Sequence, residues 1–168
     1  MKYFNLCLLG FGNVGQALVR LLVEKEDALY DEFGVDWCVT GIATRRTGWL
    51  APPAGFETEE LLTGTPSGRP AQRLSPAPAD VREWLAAARC DVLFETTSLE
   101  PLTGEPAVSH VRAGLEHGAH VITANKGTIV HAYRELSGLA RERGRRFLFE
   151  ATVADCPVFS LFRGSLPA

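Results

Sequence analysis

Short apolar runs alternate with helical patterns along most of the chain. Tyr3–Leu9 (YFNLCLL) is apolar and ends at Gly10, the form of a buried strand. From Val14 to Tyr30, apolar residues at Val14, Ala17, Leu18, Leu21, Leu22 and Ala28 recur at mostly helical spacing and predict one helix. Asp36–Ala43 (DWCVTGIA) is rich in β-formers and predicts a second strand. Thr44 to about Pro78 differs: it carries Pro52, Pro53, Pro66, Pro70, Pro76 and Pro78, and only Phe56–Leu62 holds a helical turn or two. This segment, 47–78 above all, predicts a long surface excursion. Regularity then returns. Asp80–Ala88 reads as a helix with Val81, Trp84 and Leu85 on one face, and Asp91–Glu95 as a strand. Pro106–His117 is a helix closed by Gly118, Ala119–Thr123 a strand, Tyr133–Arg143 a helix ended by Gly144, and Arg146–Glu150 a last strand. Such alternation predicts an α/β fold, a doubly wound and mostly parallel sheet with helices on both faces.

Composition narrows the classes. The 168 residues are 46% apolar and 22% charged, enough for one domain with a proper core. Twenty acids against 17 bases leave a net charge of −3, without the basic excess of a nucleic-acid binder. The uncharged opening stretch is broken by Gly10, Gly12, Asn13 and Gly15 and is too short for a membrane helix. Lys2 is a lone positive charge and Asn5 interrupts the apolar run, so no signal peptide is expected. Cys7, Cys38, Cys90 and Cys156 form no C-x-x-C pair, which argues against a zinc site or disulfide framework. The expectation is a reduced, cytoplasmic protein.

The candidate chemistry starts at LLGFGNVGQAL. Gly10, Gly12 and Gly15 stand in G-x-G-x-x-G order between a predicted strand and a predicted helix, the context of a dinucleotide-binding loop that also includes Phe11, Asn13 and Val14. Gly10 permits the tight turn, Gly12 lets a pyrophosphate approach the backbone, and Gly15 lets the helix pack close to the sheet. The helix N-terminus then offers free N–H groups and the positive end of its dipole. At the end of the second strand an acid would bind the ribose of NAD, and an arginine the 2′-phosphate of NADP. Here the chain reads Ala43-Thr44-Arg45-Arg46, so NADP is favoured and NAD stays open.

GFGNVG, DVLFETTSLEPLTGEPA, HVITANKGTIV and FEATV together resemble the N-terminal NAD(P)-binding domain of homoserine dehydrogenases, over nearly the whole chain. The resemblance implies a nicotinamide-dependent oxidoreductase interconverting homoserine and aspartate semialdehyde, in amino-acid biosynthesis. It also implies that residues 1–155 form the dinucleotide-binding domain and 156–168 open a linker to a substrate and dimerisation domain. On that reading the chain alone is inactive, and the full-length form is a homodimer acting on a small amino acid. Thr96, Thr97 and Ser98 follow a strand end, where ligands bind in open α/β sheets, and can hydrogen-bond the nicotinamide ribose. Asn125 and Lys126 follow the next strand. The resemblance makes Lys126 the candidate catalytic residue, and Glu150 ends the last strand on the substrate side of the same edge.

The remaining candidates are mostly structural. Val153 is followed by Ala154, Asp155, Cys156 and Pro157, a glycine-free departure from the family pattern, and no metal site is assigned there or to His110, His117, His120 and His131. Arg141, Arg143, Arg145 and Arg146 read as a helix end with favourable dipole charges. Two other readings stay open from sequence: a stand-alone nucleotide-binding or sensing module without catalysis, and an aspartate dehydrogenase-like enzyme.

Overall fold

A computed structural model describes residues 1–63 and 77–149. In chain order the elements are β1 (Lys2–Leu9), α1 (Asn13–Glu24), α2 (Glu26–Phe33), β2 (Val35–Thr44), β3 (Gly48–Leu50), α3 (Thr58–Leu62), α4 (Val81–Ala87), β4 (Val92–Glu95), α5 (Ala107–His117), β5 (His120–Thr123), α6 (Lys126–Glu142) and β6 (Phe147–Phe149). Among the described residues the strands form one sheet in the order β3-β2-β1-β4-β5-β6. Every pairing is parallel except β2 with β3. The α/β doubly wound architecture read from the alternation is therefore the one observed.

Two-residue periodicity in the central strands divides the apolar side chains between the sheet's faces. Leu6 and Leu8 of β1 join Phe11, Val19, Ile42 and Leu61 under α1 and α3, whereas Cys7 and Leu9 join Trp84, Leu93, Val111 and Leu136 under α4, α5 and α6. Trp84 is fully buried, and its indole N–H donates to the Leu50 carbonyl at 2.9 Å. Its truncation would cost about 3–5 kcal/mol. Asp80 starts α4 by accepting from the N–H groups of Arg82 and Glu83, each at 2.9 Å. Gly118 closes α5 at φ +94°, the left-handed conformation that glycine adopts without strain.

Three elements differ from the sequence reading. The long helix over Val14–Tyr30 is two helices meeting at Lys25, whose φ/ψ of −101°/10° breaks the run. α1 buries Gly15 and Val19 while α2 buries no residue completely, so the two lean on different surfaces and one axis cannot serve both. The excursion after Thr44 contains β3, which turns straight back and pairs Ala43 with Trp49. α6 begins at Lys126, seven residues before the predicted Tyr133. Its first three residues are Lys126, Gly127 and Thr128, none of them apolar enough to show the helical period, and Gly127 packs against a loop: a Cβ there would lie 2.9 Å from the Gly104 Cα. The expectations placed on Glu150, Asp155, Cys156 and the linker 156–168 lie outside the described residues. Among the described residues no helix is long and apolar enough to cross a membrane.

Registers align the strand ends. Leu9 pairs with Ala43 on one side and Glu95 on the other, and Glu95 pairs with Thr123. The loops opening at Gly10, Thr44, Thr96 and Ala124 thus leave one edge of the sheet. Strand order reverses at β1, so the crevice between the Gly10 and Thr96 loops is the switch point where ligands bind in such sheets.

Candidate cofactor site

The glycine loop is held by its own backbone. Gly10 turns at φ +94°, its N–H donating to the Ala43 carbonyl at 2.8 Å. The Thr96 hydroxyl donates to the Gly10 carbonyl at 3.0 Å. A Cβ on Gly10 would lie 2.7 Å from the Thr96 carbonyl oxygen, and one on Gly15 would lie 2.9 Å from that of Gly10. Neither position has room for a side chain. Gly12 is the opposite case: a Cβ there meets nothing within 4 Å. It stands at the N-cap of α1 without any side-chain cap, and Gly12, Asn13 and Val14 are exposed. The first N–H groups of α1 therefore face an open cradle with the positive pole of the helix behind them. Phe11 departs from the set, since its ring is buried in the core and only its backbone faces the loop.

At the end of β2, Thr44 organises the turn into β3. Its hydroxyl oxygen accepts from Thr47 N–H at 3.0 Å and lies 2.7 Å from the Thr47 hydroxyl. The side chain of Thr44 is committed to that turn. Arg45 and Arg46 project from it, exposed and without an ion pair among the described residues. Two guanidinium forks with no carboxylate to satisfy them suit a phosphate.

The loops after β4 and β5 are built from side chains. Glu95, fully buried, accepts at Oε1 from the Thr97 N–H at 2.9 Å and from the Thr97 hydroxyl, and at Oε2 from the Thr123 hydroxyl at 2.6 Å. Asn125 N–H donates to the Thr123 hydroxyl oxygen at 3.0 Å. The Asn125 Oδ1 caps α6 by accepting from Gly127 N–H at 3.0 Å, while Nδ2 reaches the carbonyls of Thr97 and Ser98, both at 3.4 Å. Asn125 is thus a bracket between two loops, with its amide spent on protein partners. Lys126, the first residue of α6, is exposed on the same sheet edge as Gly12. Ser98, whose carbonyl meets Asn125, is exposed, and Thr96 and Thr97 are partly so.

Farther along the β4–α5 loop, the Thr103 hydroxyl and the N–H groups of Thr103 and Leu102 hold the Glu100 carboxyl down to about 2. His110 of α5 lies edge-on to Trp49, and burial pulls its pKa below the usual histidine value. Sequence reasoning missed Glu95 and Thr123. The available signal was an acid at the end of an otherwise apolar strand, with hydroxyl residues directly after it and at the end of the next strand.

A family model described as homoserine dehydrogenase, NAD binding domain, matches residues 10–150. The chain belongs to this family. An NAD(+)-dependent homoserine dehydrogenase of Pseudomonas canavaninivorans is 31% identical over 99% of this chain and 48% of its own length. A homoserine dehydrogenase of Methanocaldococcus jannaschii is 31% identical over 96% of this chain, again 48% of its own length. Among solved structures, a hyperthermophilic archaeal homoserine dehydrogenase in complex with NADPH superposes with a TM-score of 0.75, at 27% identity over 98% of this chain and 49% of that one. The chain spans about half the length of the curated relatives it matches. Family membership supports a dinucleotide-binding domain and lends nothing to the aspartate dehydrogenase-like reading.

Proposed function

We propose that this chain is the cofactor-binding part of a homoserine dehydrogenase and that it prefers NADP(H). The open Gly12 cradle at a helix N-terminus without a side-chain cap carries the reading: among the described residues the space is clear and no side chain caps the N–H groups. The residues fit the cofactor from end to end. Gly10, Gly12, Asn13, Val14 and Gly15 would hold the pyrophosphate, with Phe11 contributing backbone only. Arg45 and Arg46 would take the 2′-phosphate, supported by the missing acid at the end of β2. Relatives divide on this point, one being named NAD(+)-dependent and another solved with NADPH, so the arginine pair supplies the argument.

On the nicotinamide side, Thr96, Thr97 and Ser98 would line the approach, with Thr96 and Thr97 offering oxygens only, since their hydroxyl protons go to the Gly10 carbonyl and to Glu95. Asn125 keeps their loop against α6. When bound, the cofactor supplies hydride exchange. Lys126 would contribute a fixed positive charge beside the substrate oxygen that gains or loses a proton. For the whole protein the proposal includes homoserine and aspartate semialdehyde as the substrate pair and a homodimeric assembly. Calorimetric titration of the 168-residue chain with NADPH tests the core of the reading. Saturable single-site binding is expected, and no heat or saturation at millimolar NADPH would overturn it.

A further inference from the structure

We propose that Glu95 is a positioning residue, a buried latch that fixes the Lys126-bearing end of α6 to the Thr97–Ser98 loop. The inference rests on the reading that Lys126 works at the cofactor's reactive end. Its basis is the direction of the hydrogen bonds. A carboxylate only accepts, so the hydroxyls of Thr97 and Thr123 both spend their single proton on Glu95. The Thr123 oxygen is then left to accept, and it does so from Asn125 N–H at 3.0 Å. Asn125 in turn caps α6 and reaches back to the carbonyls of Thr97 and Ser98. The contacts close a ring through β4, β5 and both loops, and Lys126 is the next residue after it.

Three neutral donors meet this carboxyl, and no cation pairs with it among the described residues. A fully buried acid without a cation is costly, and an apolar side chain would cover a strand end at lower cost. What the acid supplies is orientation. A glutamine would keep an acceptor for Thr97 yet present an N–H to Thr123, leaving the Thr123 proton without its partner. An aliphatic residue would release both threonines.

The test is a double-mutant cycle on NADPH affinity in this chain, read by calorimetry. In the wild type, Lys126→Ala is expected to weaken binding about threefold to tenfold, and in a Glu95→Leu background to have no further effect. Arg45→Ala, at the far end of the cofactor, is expected to cost the same factor in both backgrounds. Glu95→Gln should restore part of the Lys126 effect. An equal Lys126→Ala penalty in both backgrounds, or no penalty in the wild type, overturns the latch. Should Glu95→Leu fail to fold, Thr123→Val breaks the same ring with little change in shape, and the same outcomes apply. Amide exchange supplies a readout free of cofactor: Glu95→Leu should strip protection from Thr97, Asn125 and Gly127 and spare Gln16. Undiminished protection overturns the latch by itself. If the wild type binds no NADPH, the affinity cycle does not apply, and loss of that protection in Glu95→Leu keeps the latch and discards the cofactor reading.

Discussion

The two sides of the crevice are made in different ways. On the β1 side, recognition belongs to the backbone: Gly10 turns at positive φ, Gly15 lets the helix close in, and Gly12 leaves the N–H groups of α1 uncovered. On the β4–β5 side, the work is done by side chains, with Glu95, Thr123 and Asn125 bonded to one another and nearly withdrawn from solvent. A backbone cradle needs no particular neighbours, only the absence of side chains at set positions. A side-chain ring needs every member at once. The first tolerates change everywhere except at its glycines, and the second should respond to any single deletion along its course.

The comparison is broken most severely at Gly10. Gly10→Ala places a Cβ 2.7 Å from the Thr96 carbonyl at φ +94°, and unfolding by urea should register a loss of about 3 kcal/mol. A loss under about 0.5 kcal/mol would mean that the loop relaxes freely and is not built by exclusion. Gly12→Ala is the paired experiment. Nothing lies within 4 Å of that Cβ, so the melting temperature should hold, while NADPH affinity falls about tenfold as the methyl group enters the phosphate's space. Unchanged affinity would remove the cradle from the account.

On the other side, Asn125→Ala should cost about 1–2 kcal/mol of stability, because the α6 cap and the bonds to Thr97 and Ser98 go together. Thermal unfolding indistinguishable from wild type would show that the bracket bears no strain.

The smallest effect expected is with pH. Burial lowers the pKa of His110, and burial with Arg145 and Arg146 lowers that of His120, whose Nδ1 accepts from Arg146 N–H at 3.0 Å. Below the ordinary histidine value, about 6.5, the unfolded chain binds more protons than the folded one, so stability is complete above that pH and declines beneath it. Melting curves from pH 7.5 to 5.5 should fall less steeply for His110→Leu than for wild type. Parallel curves would contradict the assignment.

The same contrast explains what could be read from the amino-acid sequence. Gly10, Gly12 and Gly15 announce themselves because glycine spacing between a strand and a helix encodes a backbone shape directly. Alternating apolar runs likewise revealed the parallel sheet, since Leu6–Leu9 and Leu93 face their cores by simple periodicity. The Glu95 ring was hidden because its members sit 28 residues apart on different strands, and only the register of β4 with β5 brings them together. β3 was lost among prolines, as three residues are too few to show a period. The start of α6 was lost for a related reason: Thr128 opens the buried stripe that continues through Ala132, Leu136 and Ala140, but it is polar, and Gly127 before it is closed in by a loop. Asn125 read as a cofactor contact, whereas its side chain is engaged by protein on every polar atom. Lys126 kept the position expected of it, on the edge shared with Gly12.

We propose that an open glycine cradle and two arginines, without an ion pair among the described residues, make this domain a binder of the phosphorylated dinucleotide. The most direct measurement is the ratio of NADPH to NADH affinity, by calorimetry, in the wild type and in Arg45→Ala/Arg46→Ala. The account predicts that NADPH binds tighter in the wild type, by about tenfold or more for one bidentate phosphate contact, and that the double substitution erases the preference by weakening NADPH alone. Equal affinities in the wild type, or an equal loss of both cofactors on substitution, would contradict it.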